Sequence, residues 1–296
     1  FGKQQNVRTG GAMIGSGTSV QMSPQEFVAL RDFVYSKSGI YFREAKKYFL
    51  ETRVSRRVAE LSLHSYGDYM KLLQGSGGAE ELKRLFNEVT TNETSFWRNP
   101  PQIEAFQNIV LPEVASLARS RGNRFRIWSA ACSSGEEPYT LAMVCVEGKD
   151  TVLRGLTVEI IATDISERVM SLAQLGQYGS YTLRNLTPLR LQQHFDKKGD
   201  DLFEVKPELK RMVTYKNFNL VDYAGYRSLG TFDIIFCRNV LIYFDDAVKT
   251  KVINGFLEQL YPKTYLMVGH SESISAYASG FELVHFSMAT GYRKNG

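Results

Sequence analysis

Apolar residues recur at helical spacing through the first part of the chain. Ser23-Pro-Gln-Glu26 reads as a helix start, with Ser23 as the cap, Pro24 in the first helical position and Glu26 closing a capping box. Phe27, Leu30 and Val34 follow at i, i+3 and i+7, and Gly39 ends the helix. A second helix is expected from about Ala45 to Leu63, with Leu50, Val54, Val58 and Leu61 on one face, and a third carries Leu82, Leu85, Phe86 and Val89. Residues 22–90 therefore read as a small all-helical domain.

From residue 103 onward the pattern alternates. A helix with Ile103, Phe106, Val110 and Val114 leads into the strand-like run Arg124 to Trp128, then a helix from Tyr139 to Val146. Val158 to Asp164 reads as the next strand, Glu167 to Leu175 as a helix, Met212 to Phe218 and Phe232 to Cys237 as strands, Val248 to Leu260 as a helix and Tyr265 to Val268 as a strand. Strands alternating with helices predict an α/β fold with a doubly wound, mostly parallel sheet over residues 103–296. Phe281 to Phe286 and Met288 to Arg293 would add antiparallel edge strands. At about 178–218 a short helix (Leu189 to Phe195) and the polar turn Lys197-Lys-Gly-Asp-Asp201 interrupt the alternation, as a small antiparallel β-subdomain would. Residues 1–21, rich in Gly, Ser, Gln and Thr without apolar periodicity, read as disordered or as a remnant of expression.

Composition adds mainly exclusions. The apolar share of 43% is that of a soluble globular protein, and no run approaches the ~20 apolar residues of a membrane span. No apolar leader of the secretory kind is visible. Cys132, Cys145 and Cys237 sit in apolar surroundings, which fits a reducing cytoplasm better than a disulfide framework. Their spacing matches no zinc pattern and the four histidines do not cluster with them, so no metal site is expected. A net charge of +5 is too mild to imply nucleic acid.

The candidate chemistry centres on Ser129-Ala-Ala-Cys-Ser-Ser-Gly-Glu-Glu-Pro-Tyr139, directly after a strand. Small residues and Gly135 let backbone approach a ligand, and Glu136 and Glu137 open the following helix. Phosphate-binding turns present backbone N–H groups there. Carboxylates call instead for an ammonium or a ribose diol, and S-adenosylmethionine has both. The plain alternative for the two glutamates is favourable charge at a helix N-terminus. Asp164, at the tip of the second strand, is placed to meet a ribose diol, or else caps the next helix. Asn219 and Leu220 follow another strand and would read an adenine edge and cover its ring, or form an ordinary Asn-Asp turn with Asp222. Arg238 and Asn239 leave the buried strand 232–237 toward the crevice, and Tyr243 either borders the site or joins the core. Thr90-Thr-Asn-Glu-Thr-Ser-Phe-Trp-Arg98 is polar for a linker, and residues 91–102 are expected to close over the ligand at the domain junction.

Thr90 to Arg98, Trp128 to Tyr139, Phe232-Asp-Ile-Ile-Phe-Cys-Arg-Asn-Val-Leu-Ile-Tyr-Phe244 and Gly269-His-Ser-Glu272 together resemble the CheR family, the chemoreceptor glutamate methyltransferases of bacterial chemotaxis. The motifs run in the family's order from about residue 23 to the end. The resemblance implies a Rossmann-like methyltransferase sheet and donor-binding roles for Asn92, Thr94, Arg98, Glu137, Asp164, Asn219, Leu220, Asn239 and Val240. Arg98 and Tyr243 would lie closest to the methyl transfer. S-adenosylmethionine is then the donor, S-adenosylhomocysteine the product, and specific glutamates of cytoplasmic chemoreceptor helices the acceptors, with the enzyme cytoplasmic and recruited to receptor arrays.

The second helix carries Lys46, Lys47, Arg53, Arg56 and Arg57 beside its apolar stripe. Such a face is commonly just solvated, with arginine stems lying over the core. An acidic receptor bundle would give it a docking role, and the family's receptor-contacting arginines match Arg53 and Arg56, whereas a further one falls at Ala59. The turn 197–201 is shorter than in family members that hold a receptor's C-terminal pentapeptide, which points to an enzyme that uses no tether. A methyltransferase acting on RNA or another acceptor would want a broader basic surface with interleaved aromatics. A non-catalytic donor sensor would not need Arg98 and Tyr243, and a dinucleotide oxidoreductase would want Gly-x-Gly-x-x-Gly.

Overall fold

The computed structural model describes residues 21–277 and 279–296, so the reading of the first 21 residues falls, Gln21 apart, outside the described residues. The first helix, Pro24–Ser38, has the expected capping box, and Gly39 closes it at φ 72° with its N–H on the Tyr35 carbonyl. A 3-10 turn, Glu44–Lys46, leads into Lys47–Glu60, and Gly78–Val89 completes the predicted set. Between them lies a helix the periodicity had not singled out, Tyr66–Gln74, capped by Ser65 and burying Tyr66, Tyr69 and Leu73. These helices share one apolar cluster built on Phe27, Leu30, Val34, Leu50, Val54, Tyr69 and Leu85.

The expected single helix around Ile103 to Val114 is interrupted. It runs as Pro100–Ala105, a wider π turn over Phe106–Val110, and Leu111–Arg119. Pro112 has no N–H to offer the preceding turn, and the π turn absorbs the missing bond.

Among the described residues ten strands follow: β1 Arg124–Ala130, β2 Thr157–Asp164, β3 Gln177–Tyr178, β4 Phe195–Gly199, β5 Leu202–Val205, β6 Val213–Asn217, β7 Phe232–Cys237, β8 Leu260–Val268, β9 Phe281–Phe286 and β10 Ala289–Lys294. The main sheet has the order β6-β2-β1-β7-β8-β10-β9. Its first five strands are parallel, and β10 is antiparallel to both β8 and β9. The chain thus winds outward in two directions from β1, and the crevice lies where β1 and β7 end side by side, with Ala130 opposite Cys237. β3, β5 and β4 form the small antiparallel sheet. Apolar clusters cover the main sheet on both faces, one around Phe106, Phe125 and Ile127, the other around fully buried Trp128.

The helical unit is fastened to the sheet at two places. On one side Tyr41 N donates to Tyr243 O at 2.9 Å, and Tyr35 Oη to Asp245 at 2.7 Å. On the other, Ser166 Oγ donates to Asn87 Oδ1 at 2.8 Å and Arg168 Nη2 to Asn87 O at 2.9 Å. A space remains between them, above the carboxyl ends of the parallel strands.

Candidate active site

That space is a cavity of about 640 Å³, within the ~300–1,000 Å³ usual for ligand pockets. Asn92, Thr94, Arg98, Glu137, Asp164, Asn219, Leu220, Asn239, Val240 and Tyr243 all line it. So do Ile40, Arg43, Lys46 and Phe49 of the helical unit, which the sequence had not connected with the ligand.

The turn after β1 is fixed from below. Gly135 has φ 95°, and a Cβ there would stand 2.8 Å from Ala173 Cβ and 2.9 Å from the hydroxyls of Tyr178 and Tyr215. Those side chains press against the turn, and Tyr178 Oη donates to Ser134 O at 2.7 Å. The two glutamates separate. Glu136 turns inward, 2% exposed, and accepts from Ser134 Oγ at 2.7 Å. Glu137 reaches the cavity, accepts from Ser129 Oγ at 2.7 Å and pairs with Arg238 Nη1 at 3.3 Å. Arg238 Nη2 donates to Arg98 O at 2.5 Å, so one guanidinium ties the turn after β1 to the linker.

Asp164 accepts from Ser133 N and from Ser166 N, each at 2.9 Å. The cap of the next helix is Ser166 and not Asp164, which holds the N–H of that cap residue while facing the cavity. Burial pushes the carboxyls of Glu136, Glu137 and Asp164 above the usual carboxylate range, opposed in Glu137 chiefly by the Arg238 charge. A positively charged ligand beside Glu137 would favour the ionised form, which is what an ammonium group supplies.

Asn219 behaves partly as the turn alternative held. Its amide donates to Lys37 O at 2.7 Å, its Oδ1 accepts from Val221 N at 3.2 Å, and Asp222 accepts from Gly225 N. The linker is held by Phe96, packed edge-on to Tyr178 and Phe195, and by Trp97, whose backbone N–H donates to Thr140 Oγ1 at 3.2 Å. Left-handed backbone at Trp97, Asn99, Ala131, Ser133 and Asn239 concentrates here, as strain does around functional sites.

One residue was present in a quoted motif without a role. Glu272, at 8% exposure, accepts from Asn239 N and Gly269 N at 2.7 Å each and from Ile242 N at 3.3 Å. It fixes the loops after β7 and β8 against each other. A buried acid in a Gly-x-x-Glu turn is the sequence signal, but its partners lie 30 residues or more away for two of the three bonds.

The basic helix needs one correction. Arg57 is buried and bidentate to Glu81, at 2.9 Å and 2.7 Å, with Tyr69 Oη on the same carboxylate. Its charge is spent inside the helical unit, so it is not presented to a partner. Arg53 lies over the Phe49 ring at 4.9 Å, and the exposed Arg56 pairs with Glu88 and Glu60.

Residues 92–289 match the family model for the CheR methyltransferase SAM-binding domain, and residues 25–90 match that for the CheR all-alpha domain. The chain belongs to the CheR methyltransferase family. As a CheR methyltransferase it is an enzyme that depends on S-adenosylmethionine. It is similar to chemotaxis protein methyltransferase 2 of Vibrio cholerae, 34% identical over 93% of this chain and 94% of that one. It is also similar to chemotaxis protein methyltransferase 1 of Pseudomonas aeruginosa, 37% identical over 90% of this chain and 97% of that one. Among the described residues, no helix is long and apolar enough to cross a membrane, and no group of three or more His, Cys, Asp or Glu is placed to hold a metal ion.

Proposed function

We propose that this CheR methyltransferase esterifies glutamate side chains on the cytoplasmic helices of chemoreceptors for sensory adaptation. The observation that carries the reading is the single cavity that gathers Glu137, Asp164, Arg98 and Tyr243 between a helical unit with a basic helix and the sheet crevice. The carboxylates of Glu137 and Asp164 suit the ammonium and ribose of S-adenosylmethionine, and Leu220, Phe218, Ile165 and Val89 give an apolar wall for its base. When bound, the donor supplies a methyl group on a sulfonium, already a good leaving group.

A glutamate carboxylate is ionised at pH 7 and already nucleophilic, so no proton has to be removed. Its oxygen forms the C–O bond as the C–S bond breaks, and the electron pair leaves on the sulfur of S-adenosylhomocysteine. The protein's task is alignment and exclusion of water. Arg98 orients the acceptor carboxylate and Tyr243 shapes the methyl path. Arg98 is held by its own Nη1, which donates to Glu93 O at 2.9 Å, and by the Arg238 contact on its carbonyl. Arg98→Ala should therefore lower kcat at saturating donor by about 10²-fold, beyond any loss of donor affinity, and unchanged turnover in a single-turnover assay would remove it from that role.

Docking falls to Arg53 and Arg56. The double variant Arg53→Ala/Arg56→Ala should reduce receptor methylation roughly tenfold, more at low salt than at high, while donor titration stays unchanged. Equal loss of both would indicate misfolding. β4 and β5 are joined by Asp200 and Asp201 alone, which supports recruitment without a pentapeptide tether. The test of the function is transfer of label from S-adenosylmethionine to membranes carrying the host's chemoreceptors, read as methanol released in base. Base-stable label, or donor binding with no transfer, would move the acceptor elsewhere.

A further inference from the structure

A second cleft of about 390 Å³ adjoins the donor cavity and is lined by Arg98, Asn99, Arg238, Asn239, His270 and Ser271. Arg98, Arg238 and Asn239 line both, so these residues form a shared wall. The two spaces differ in charge. The donor side mixes the carboxylates of Glu93, Glu137 and Asp164 with the cations of Arg43, Lys46, Arg98 and Arg238, whereas the second cleft is lined by two arginines, a histidine and neutral polar groups, with no acid.

Arg238 is the key to the difference. Its side chain is 4% exposed, its two terminal nitrogens are engaged by Glu137 and Arg98 O, and its buried Nε has no protein partner. A buried guanidinium N–H without an acceptor is costly and invites an anion or a polar group. The far wall is stiff, because Glu272 clamps Gly269 N and Asn239 N on either side of it, and a Cβ on Gly269 would lie 2.9 Å from Asn239 N. His270 and Ser271 stand exposed at the tip of that turn.

We infer that this cleft is the port for the acceptor, through which an anionic side chain passes Ser271 at the entrance and reaches the shared wall, while His270 selects for its carboxylate. The inference rests on the carboxyl-acceptor reading above and adds where the acceptor enters. The donor cavity has carboxylates to offer a cation and the second cleft has none, and the two meet at Arg98, Arg238 and Asn239. The charge pattern also rejects a neutral amide, because an uncharged side chain would gain no ion pair from Arg98 or Arg238.

The test places a negative charge at the entrance. Ser271→Glu should lower kcat/KM for receptor membranes by about tenfold or more through like-charge repulsion, with donor affinity by calorimetry within roughly twofold of the parent. Ser271→Gln, of the same size without the charge, should recover most of that loss, and His270→Ala should raise the receptor KM with little change in kcat. If Ser271→Glu methylates receptors as well as the parent, or loses donor binding in step with transfer, the port is not here. If the parent itself puts no base-labile label on receptors, the carboxyl-acceptor reading fails and takes this inference with it.

Discussion

Replacing Glu137 with glutamine is expected to weaken S-adenosylmethionine binding by about 10–100-fold, the range for a lost charge-assisted hydrogen bond. The same change should lower stability by about 3 kcal/mol, because it leaves the buried Arg238 guanidinium without its counter-charge. The two losses have separate physical origins and can be taken apart. Glutamine keeps the bond from Ser129 Oγ, so the turn after β1 should hold its place. Adding Arg238→Gln removes the stranded cation, and the double variant should regain part of the melting temperature while donor affinity stays low. Calorimetric titration beside thermal unfolding reads both. Donor affinity restored in the double variant would mean that Glu137 acts only by holding Arg238, and the ammonium contact would have to be sought elsewhere.

The main layout was legible because its determinants are local. Helix Glu167–Leu175 and strand β7 lie where the pattern put them, the helix set by the Ser166 cap and Gly176 in the left-handed region, the strand by an unbroken buried run. Helix Tyr66–Gln74 escaped because its core residues are two tyrosines and a leucine among polar neighbours, although Ser65 is an adequate cap. Pro112 was visible, but whether a chain kinks or inserts a wide turn at a proline depends on what packs around it.

Long-range pairing was beyond local reading. Arg57 looked like its neighbours on a basic helix until Glu81, 24 residues on, supplied a buried partner. Nothing in the sequence of Asn219 announces Lys37 O, 182 residues away, nor does Glu272 announce Asn239 N. The candidate ligand residues were nameable because they follow strand ends, and strand ends of a doubly wound sheet converge on one crevice. What sequence could not supply was the other half of the cavity, contributed by residues 40–49 of the helical unit. It also gave no sign of the acid-free cleft on the far side of Arg98, which exists only because the 97–99 and 269–272 turns come together.

Gly135→Ala should be the more damaging of two chemically identical changes, the other being Gly122→Ala. Both glycines have φ 95°, so each substitution bears the same backbone penalty, about 1–2 kcal/mol for an L-residue in the left-handed region. Around Gly122 nothing lies within 4 Å of the new methyl group, whereas at Gly135 three atoms lie within 2.9 Å. Two of these are the hydroxyls of Tyr178 and Tyr215, and the third is Ala173 Cβ on the neighbouring helix. None is the free end of a flexible chain, so the turn has to move, at a further cost of about 1–3 kcal/mol. At this chain length Gly122→Ala should lower the melting temperature by a few degrees and Gly135→Ala by about 5–10 °C. The functional gap should be wider still. A displaced Gly135 carries Ser133 N away from Asp164 and Glu137 away from Arg238, so Gly135→Ala should lose donor affinity by roughly tenfold or more while Gly122→Ala keeps it. Equal donor affinity in the two variants would mean that the turn yields without disturbing the carboxylates, and that the contacts beneath it serve stability alone.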